Sequence, residues 1–379
     1  MNSLSGVLVV AIEQAVAAPL CTARLVDAGA RVIKVEREQG DFARKYDSLV
    51  MGESSYFTWL NQGKESIVVN FENPDDRRLL MSIIKKADVF VQNLRPGALQ
   101  KYSLDSESIS KIHPDIVTCD ISGYGEGEEE KKHKSYDLLV QAESGLVGIS
   151  GSPKEYGRIG ISICDIGAGI TSYTAVLEGL IRKYRGFGGS SFKTSLFSVA
   201  SEWMTVPLAQ HEYGKKEIVA EGLRHPSIAP YGAFYSKDHK LILIAIQNER
   251  EWTIFCEKIL KQKNMLKANK FSSNNLRVTH RNELEKVIQK KFGELSFEYL
   301  KQQLSRNSIA FGIVNTLEDL SNHFAIKRQW VRTSFDQKVS FPEGPLKRNF
   351  TKGSSFQEGL RSPNLGEHTQ SIKKEFSES

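Results

Sequence analysis

Near-continuous apolar runs alternate with stretches whose apolar residues recur every three or four positions. This is the pattern of a parallel β-sheet whose strands are joined by helices. The first forty residues read as one βαβ unit, with a strand at Val7–Ala11, a helix from Pro19 to Ala28 and a strand at Arg31–Val35. Ser66–Asn70 and Val89–Gln92 read as strands separated by a helix over Asp75–Lys86, and Ile116–Ile121 as another strand. Further on, Ile166, Ile170, Tyr173, Val176, Leu177, Leu180 and Ile181 share one face of a long amphipathic helix. Gly186–Gly189 marks a turn, and Phe192–Leu196 leads into a helix reaching His211. Composition shifts over 215–227, which predicts a linker between a domain of residues 1–214 and a smaller α+β unit over 228–320. That unit has strands at Gly232–Tyr235 and Leu241–Ile246, and helices from Glu249 and Asn282. The remainder, 321–379, is rich in Gly, Ser, Lys and Pro from Pro342 onward and is expected to wrap the surface.

Composition narrows the class. A chain of 379 residues with 40% apolar content supports two cores. It contains no uninterrupted apolar run long enough to span a bilayer, and its start lacks a charged and apolar leader, so a cytoplasmic protein without a membrane partner is expected. Cys21, Cys119, Cys164 and Cys256 are scattered, which fits neither a zinc cluster nor a disulfide scaffold, and no metal is expected. The net charge of +6 is dispersed along the chain, which argues against nucleic acid and suits a small polyanion such as a nucleotide or coenzyme A. The first βα turn, Glu13–Pro19, lacks the glycine fingerprint of dinucleotide folds, so hydride chemistry with NAD is disfavoured.

The segment from Gly160 to Gly169 holds the sharpest chemical candidate. Asp165 stands where a strand-like run turns into the long helix, at the helix's positive end. Free first-turn N–H groups are expected to keep its carboxylate ionised, and the nearby glycines and alanine to let a substrate approach. The plain alternative is an N-cap. Cys164 beside it is read as a small buried hydrophobe.

Several motifs in the same order resemble the family III coenzyme A transferases (CaiB/BaiF type), the group of formyl-CoA:oxalate and carnitine CoA-transferases. They are Asp27–Glu36 followed by Gly40-Asp41, Asn61–Lys64, Ala87–Gly97, Ser122–Gly125, Tyr136–Leu138, Arg277-Val278 with Arg281–Leu284, and Leu365–Thr369. The resemblance spans nearly the whole chain. It implies a Rossmann-like large domain with a parallel sheet, to which the C-terminal 321–379 returns, a smaller α+β domain, and an interlocked ring-like homodimer. It further implies that Asp165 is a catalytic nucleophile, passing through an aspartyl-CoA thioester without ATP, metal or other cofactor. Acyl-CoA and a small carboxylic acid would be its substrates. By resemblance Val16, Arg37, Lys64, Asn93, Leu94, Lys101 and Lys134 line the coenzyme A cleft, and Asp137 lies near the active site as catalytic support. Asn93 is also placed by its own sequence position, at the end of a parallel strand.

Two departures bear on chemistry. Val16 stands where some members carry a glutamine, which leaves only its backbone amide for that role. Gly222–Gly232 lacks the glycine-rich flap of formyl-CoA transferases and, with Ile246–Trp252, is more like members that handle C4 to C5 dicarboxylates such as itaconate, mesaconate or citramalate. Arg224 and His225 then suit a distal carboxylate. Three alternatives remain at this point: intramolecular CoA transfer, an α-methylacyl-CoA racemase and a non-catalytic CoA-binding protein. The racemase histidine would fall just before Asp137, where this chain has Tyr136.

Overall fold

The computed structural model describes residues 2–215, 217–349 and 359–377; position 216 of the expected linker and part of the C-terminal tail lie outside them. Two compact units form. The first joins three stretches of chain, Met1–Gly148, Arg158–Ile218 and Lys327–Ser379, and the second joins Ile149–Gly157 to Val219–Ile326. A short hairpin, Gly151–Ser152 with Glu155–Tyr156, thus groups with the second unit although it lies inside the expected 1–214 segment.

In the first unit six strands pair in parallel: β1 (Leu8–Ile12), β2 (Arg31–Glu36), β3 (Glu65–Val68), β4 (Val89–Gln92), β5 (Val117–Ser122) and β6 (Ser190–Ser195). Their spatial order is β3-β2-β1-β4-β5-β6, the Rossmann order. β1 is apolar at every position because both of its faces are covered. Val9 and Ala11 join a core with helix α1 (Ala17–Asp27) and the 22-residue helix α3 (Ile163–Tyr184). Val10 and Ile12 join a core on the opposite face, with Leu80 and Ile83 of helix Pro74–Ile84 and Ile372 and Phe376 of the C-terminal helix Thr369–Ser377. The C-terminal helix is also held by Arg31, whose guanidinium bridges Glu65 and Glu375.

α3 stops by a glycine cap. Gly186 takes a φ of +81°, its N–H donates to Lys183 O, and the N–H of Phe187 donates to Arg182 O. Gly167 and Gly169 are needed for packing: a Cβ on Gly169 would lie 2.6 Å from Ala17 O in α1, and one on Gly167 would strike Trp203. This corrects the expectation that these glycines clear a path for substrate, since what approaches them closely is protein.

The second unit holds an antiparallel sheet of β7 (Tyr231–Tyr235), β8 (Leu241–Ala245) and β9 (Ala310–Ile313), ordered β9-β8-β7. Its core gathers Phe234, Ile242 and Ile244 with Phe255, Leu284, Ile288, Phe292 and Leu300. Arg277 is 2% exposed there, bonded to Glu249 through both terminal nitrogens, and it also donates to Ala229 O and Phe271 O.

Candidate active site

Strand order reverses between β1 and β4, and ligands of open α/β sheets sit beyond the carboxyl ends of the strands at that point. A cavity of about 320 Å³ opens there. Gln14 and Ala15 come from the β1–α1 connection and Ala17 from the start of α1, Asn93 and Leu94 follow β4, and Ser122–Gly125 run from the end of β5. Asp165 in α3 and Asp137, the first residue of helix α2 (Asp137–Glu143), complete the wall with Tyr46 and Tyr136. A larger, mostly apolar cavity of about 640 Å³ touches Ile166, Trp59 and Trp330 but neither of these aspartates. The chemistry-bearing residues therefore gather in the smaller one.

Asp165 is the third residue of α3, whose N-cap is Ser162 without a side-chain bond, so the plain N-cap reading does not hold. The amides at this helix start belong to Asp137: Cys164 N donates to its Oδ1 at 2.8 Å and Asp165 N at 3.1 Å. Its other oxygen accepts from Gln141 Nε2 at 2.6 Å. Gln141 is fully buried, and its Oε1 accepts from Ile159 N, which ties down the segment entering α3. Asp137 thus caps α3 from α2 and sets where Asp165 stands.

Because Asp137 takes the first-turn donors, they do not hold Asp165 ionised. Burial pushes the Asp165 carboxyl up from 3.8 to about 7, and the negative charge of Asp137 adds to the effect. The expectation of a carboxylate kept ionised by the helix end is corrected accordingly: the first-turn amides serve Asp137, and burial with a like charge raises Asp165. Tyr46, in the same cavity, is held above the ordinary phenol value by burial, then by Asp41 and Asp165. The Cys164 thiol is pushed up to about 12, chiefly by burial, so it stays a thiol.

The residues expected at a coenzyme cleft divide. Asn93, Leu94 and Lys134 line the cavity. Asn93 clamps the β1–α1 connection: its Oδ1 accepts from Gln14 N and its Nδ2 donates to Gln14 O, both at 2.9 Å. Val16 is buried at the start of α1. Arg37 is exposed and donates to Gly40 O. Lys101 is exposed, pairing with Glu72 at 3.1 Å, and neither it nor Arg37 lines the cavity. Lys64 has a different place from the cleft: it is 2% exposed and its Nζ donates to Glu13 Oε1, Pro19 O and Asn61 Oδ1. In the second unit Arg224 pairs with Glu285, and His225 stacks on Tyr231 with ring centroids 5.1 Å apart. Arg281, only 8% exposed, leaves Nη1 without a partner among the described residues.

Sequence reasoning did not pick out Gln14, Tyr46 or Tyr124 as cavity residues. Gln14 had a usable signal, since it follows the first strand at the switch point; Tyr46 sits in an irregular stretch with no periodicity to place it.

The profile of CoA-transferase family III matches residues 4–369. Succinyl-CoA:glutarate CoA-transferase of Mus musculus is 34% identical over 99% of this chain and 86% of its own. Succinate--glutarate CoA-transferase of Agrobacterium fabrum is 27% identical over 98% of this chain and 95% of its own. A solved CaiB/BaiF family protein from Brucella suis superposes with a TM-score of 0.82 at 27% identity, covering 99% of this chain and all of that one. With the family's profile running from β1 to the C-terminal helix across both aspartates, this chain is a member of CoA-transferase family III.

Proposed function

We propose that this enzyme moves coenzyme A from succinyl-CoA to a C4 to C5 dicarboxylate, and that Asp165 is the nucleophile. The observation that carries the reading is Asp165 itself, a carboxyl lining the switch-point cavity and held near 7. At neutral pH about half is ionised, and a poorly solvated carboxylate of raised basicity is a better nucleophile than an ordinary one. Its oxygen attacks the thioester carbonyl carbon, the C–S bond breaks, and coenzyme A leaves as thiolate from an acyl-aspartyl anhydride. The thiolate then attacks the Asp165 carbonyl and releases the donor acid, leaving an aspartyl-CoA thioester. The acceptor carboxylate runs the same steps in reverse. Asn93, Leu94 and Lys134 line the cavity and suit the coenzyme. Arg224 and His225 suit the far carboxylate of the acid, and the working form is an interlocked homodimer.

The donor and acceptor follow from the names of the mouse and Agrobacterium relatives, which carry succinate and glutarate, and from the Gly222–Gly232 stretch. Glutarate therefore joins itaconate, mesaconate and citramalate as an acceptor to test. Mass spectrometry of the thioesters formed from succinyl-CoA with each acid, with oxalate for comparison and Asp165→Ala in parallel, decides the matter. A new dicarboxyl-CoA made only by the unmutated enzyme is expected. Equal product from Asp165→Ala would overturn the nucleophile, and product from oxalate alone would overturn the acceptor class.

A further inference from the structure

Beneath the cavity lies a buried charge cluster that the transfer steps do not use. Lys34, fully buried, donates to Asp41 Oδ2 at 2.9 Å and to Glu13 Oε1 at 3.4 Å. Lys64 reaches the same Glu13 oxygen at 2.7 Å, and the other Glu13 oxygen accepts from Thr22 Oγ1 at 2.6 Å. Asp41 Oδ1 accepts from Ala15 N at 3.0 Å and from Ala43 N at 2.9 Å. Together with the two Asn93 bonds to Gln14, the connection from Glu13 to Ala15 is gripped at every residue. Ala15 is held at a φ of +63°, a region that residues with a Cβ seldom occupy.

A cluster of this kind is a poor route to stability, because well-packed apolar residues do as well or better. It is a good route to one defined backbone position. The gripped connection lines the cavity that also holds Asp165, through Gln14, Ala15 and Ala17. The N–H groups of Val16 and Ala17 follow directly, and neither has an acceptor among the described residues. A thioester whose carbonyl carbon is to meet Asp165 at about 3–3.5 Å has to be registered against that wall.

We propose that Asp41, oriented by Lys34 and backed by the Glu13–Lys64 pair, is a positioning residue that fixes the Gln14–Ala17 wall of the Asp165 cavity and thereby sets the rate of the acyl-transfer step. This rests on the reading of Asp165 as nucleophile. The role replaces coenzyme contact for Lys64 and gives the Gly40-Asp41 motif a physical task.

The test compares two charge-balanced double variants, Lys34→Met with Asp41→Asn and Lys34→Met with Asp41→Ala. Each removes one positive and one negative charge, so both are expected to fold, with melting temperatures close together. The asparagine keeps an acceptor for Ala15 N; the alanine does not. The Asp41→Ala pair should lose at least about tenfold in kcat with KM for the acyl-CoA changed less than about threefold, whereas the Asp41→Asn pair should recover most of kcat. Amide hydrogen exchange over residues 14–17 should quicken in the alanine pair alone. Equal kcat in both pairs with unchanged exchange would overturn the proposal, as would a fall in kcat and melting temperature together in both, which marks a structural role only. An unmutated enzyme that makes no thioester with any acid would sink the Asp165 reading separately, and the exchange comparison would still decide whether Asp41 clamps the wall.

Discussion

Asp165→Asn should make the protein more stable, and by an amount that depends on pH. The carboxyl is raised from 3.8 to about 7, so the folded state holds its proton more tightly than the unfolded chain does. Below pH about 4 both states are protonated and the group costs nothing. Between about 4 and 7 the unfolded chain ionises while the folded one does not, so stability falls as pH rises, and above 7 the full penalty persists. About three pH units at 1.36 kcal/mol each gives an upper figure of about 4 kcal/mol. Asp165 is partly exposed, so solvent screening brings the expectation to about 2–4 kcal/mol. For a unit of this size that corresponds to about 5–10 °C in Tm. Thermal melts of the unmutated enzyme and Asp165→Asn in matched buffers from pH 5 to pH 8.5 measure it directly. The two curves should already differ by about 1–2 kcal/mol at pH 5, widen to about pH 7 and run parallel above it. A constant offset, or an asparagine variant less stable at pH 8, would refute the reasoning, because it would mean the folded site does not disfavour the charge.

The same perturbation predicts that formation of the Asp165 intermediate, followed by rapid quench with acyl-CoA, rises with pH through about 7. Asp137→Asn keeps an acceptor for the α3 amides but removes the like charge, so the midpoint should move down by about one pH unit; an unmoved midpoint would leave burial as the whole cause. Gly169→Ala places a methyl 2.6 Å from Ala17 O, forcing α1 and α3 apart at a cost of about 1–3 kcal/mol, and urea unfolding at full strength would show that the helices have room. Arg277→Met leaves Ala229 O and Phe271 O without their donor and should cost the second unit about 2–4 kcal/mol, read by protease susceptibility of residues 219–326.

Much of the parallel sheet was legible because strands buried on both faces advertise themselves as short apolar runs: Val89–Gln92 matches the predicted strand at both ends. Helix α3 was equally plain, and Asp165 with it, since its periodicity persists over several turns. Lys64 is expected at the coenzyme cleft by resemblance alone, and nothing local signals that Glu13, fifty-one positions earlier, is its partner inside the fold. Asp137 is the same kind of case: its hold on the α3 amides joins residues 27 and 28 positions apart, and only the folded chain shows that it takes the donors Asp165 was expected to use. The glycines of α3 were read from their size alone, whereas their purpose depends on which helix lies across from them.

The C-terminal helix, resting on the sheet through Ile372 and Phe376 and tied to β2 by the Arg31–Glu375 pair, has a consequence for the order in which the protein is made. When residue 218 leaves the ribosome, every strand of the parallel sheet has been synthesised, yet one of its faces still lacks the C-terminal helix, which shares the covering of that face with Leu80 and Ile83 of helix Pro74–Ile84. About 150 further residues must follow, which takes about 10–30 s at ordinary elongation rates. Through that interval the places of Ile372 and Phe376 in this core stay unfilled, while the bulk of the second unit, Val219–Ile326, emerges whole and is free to fold first. The later-finished unit is the one that carries Asp165, so the candidate active site is completed only after the second unit has been made.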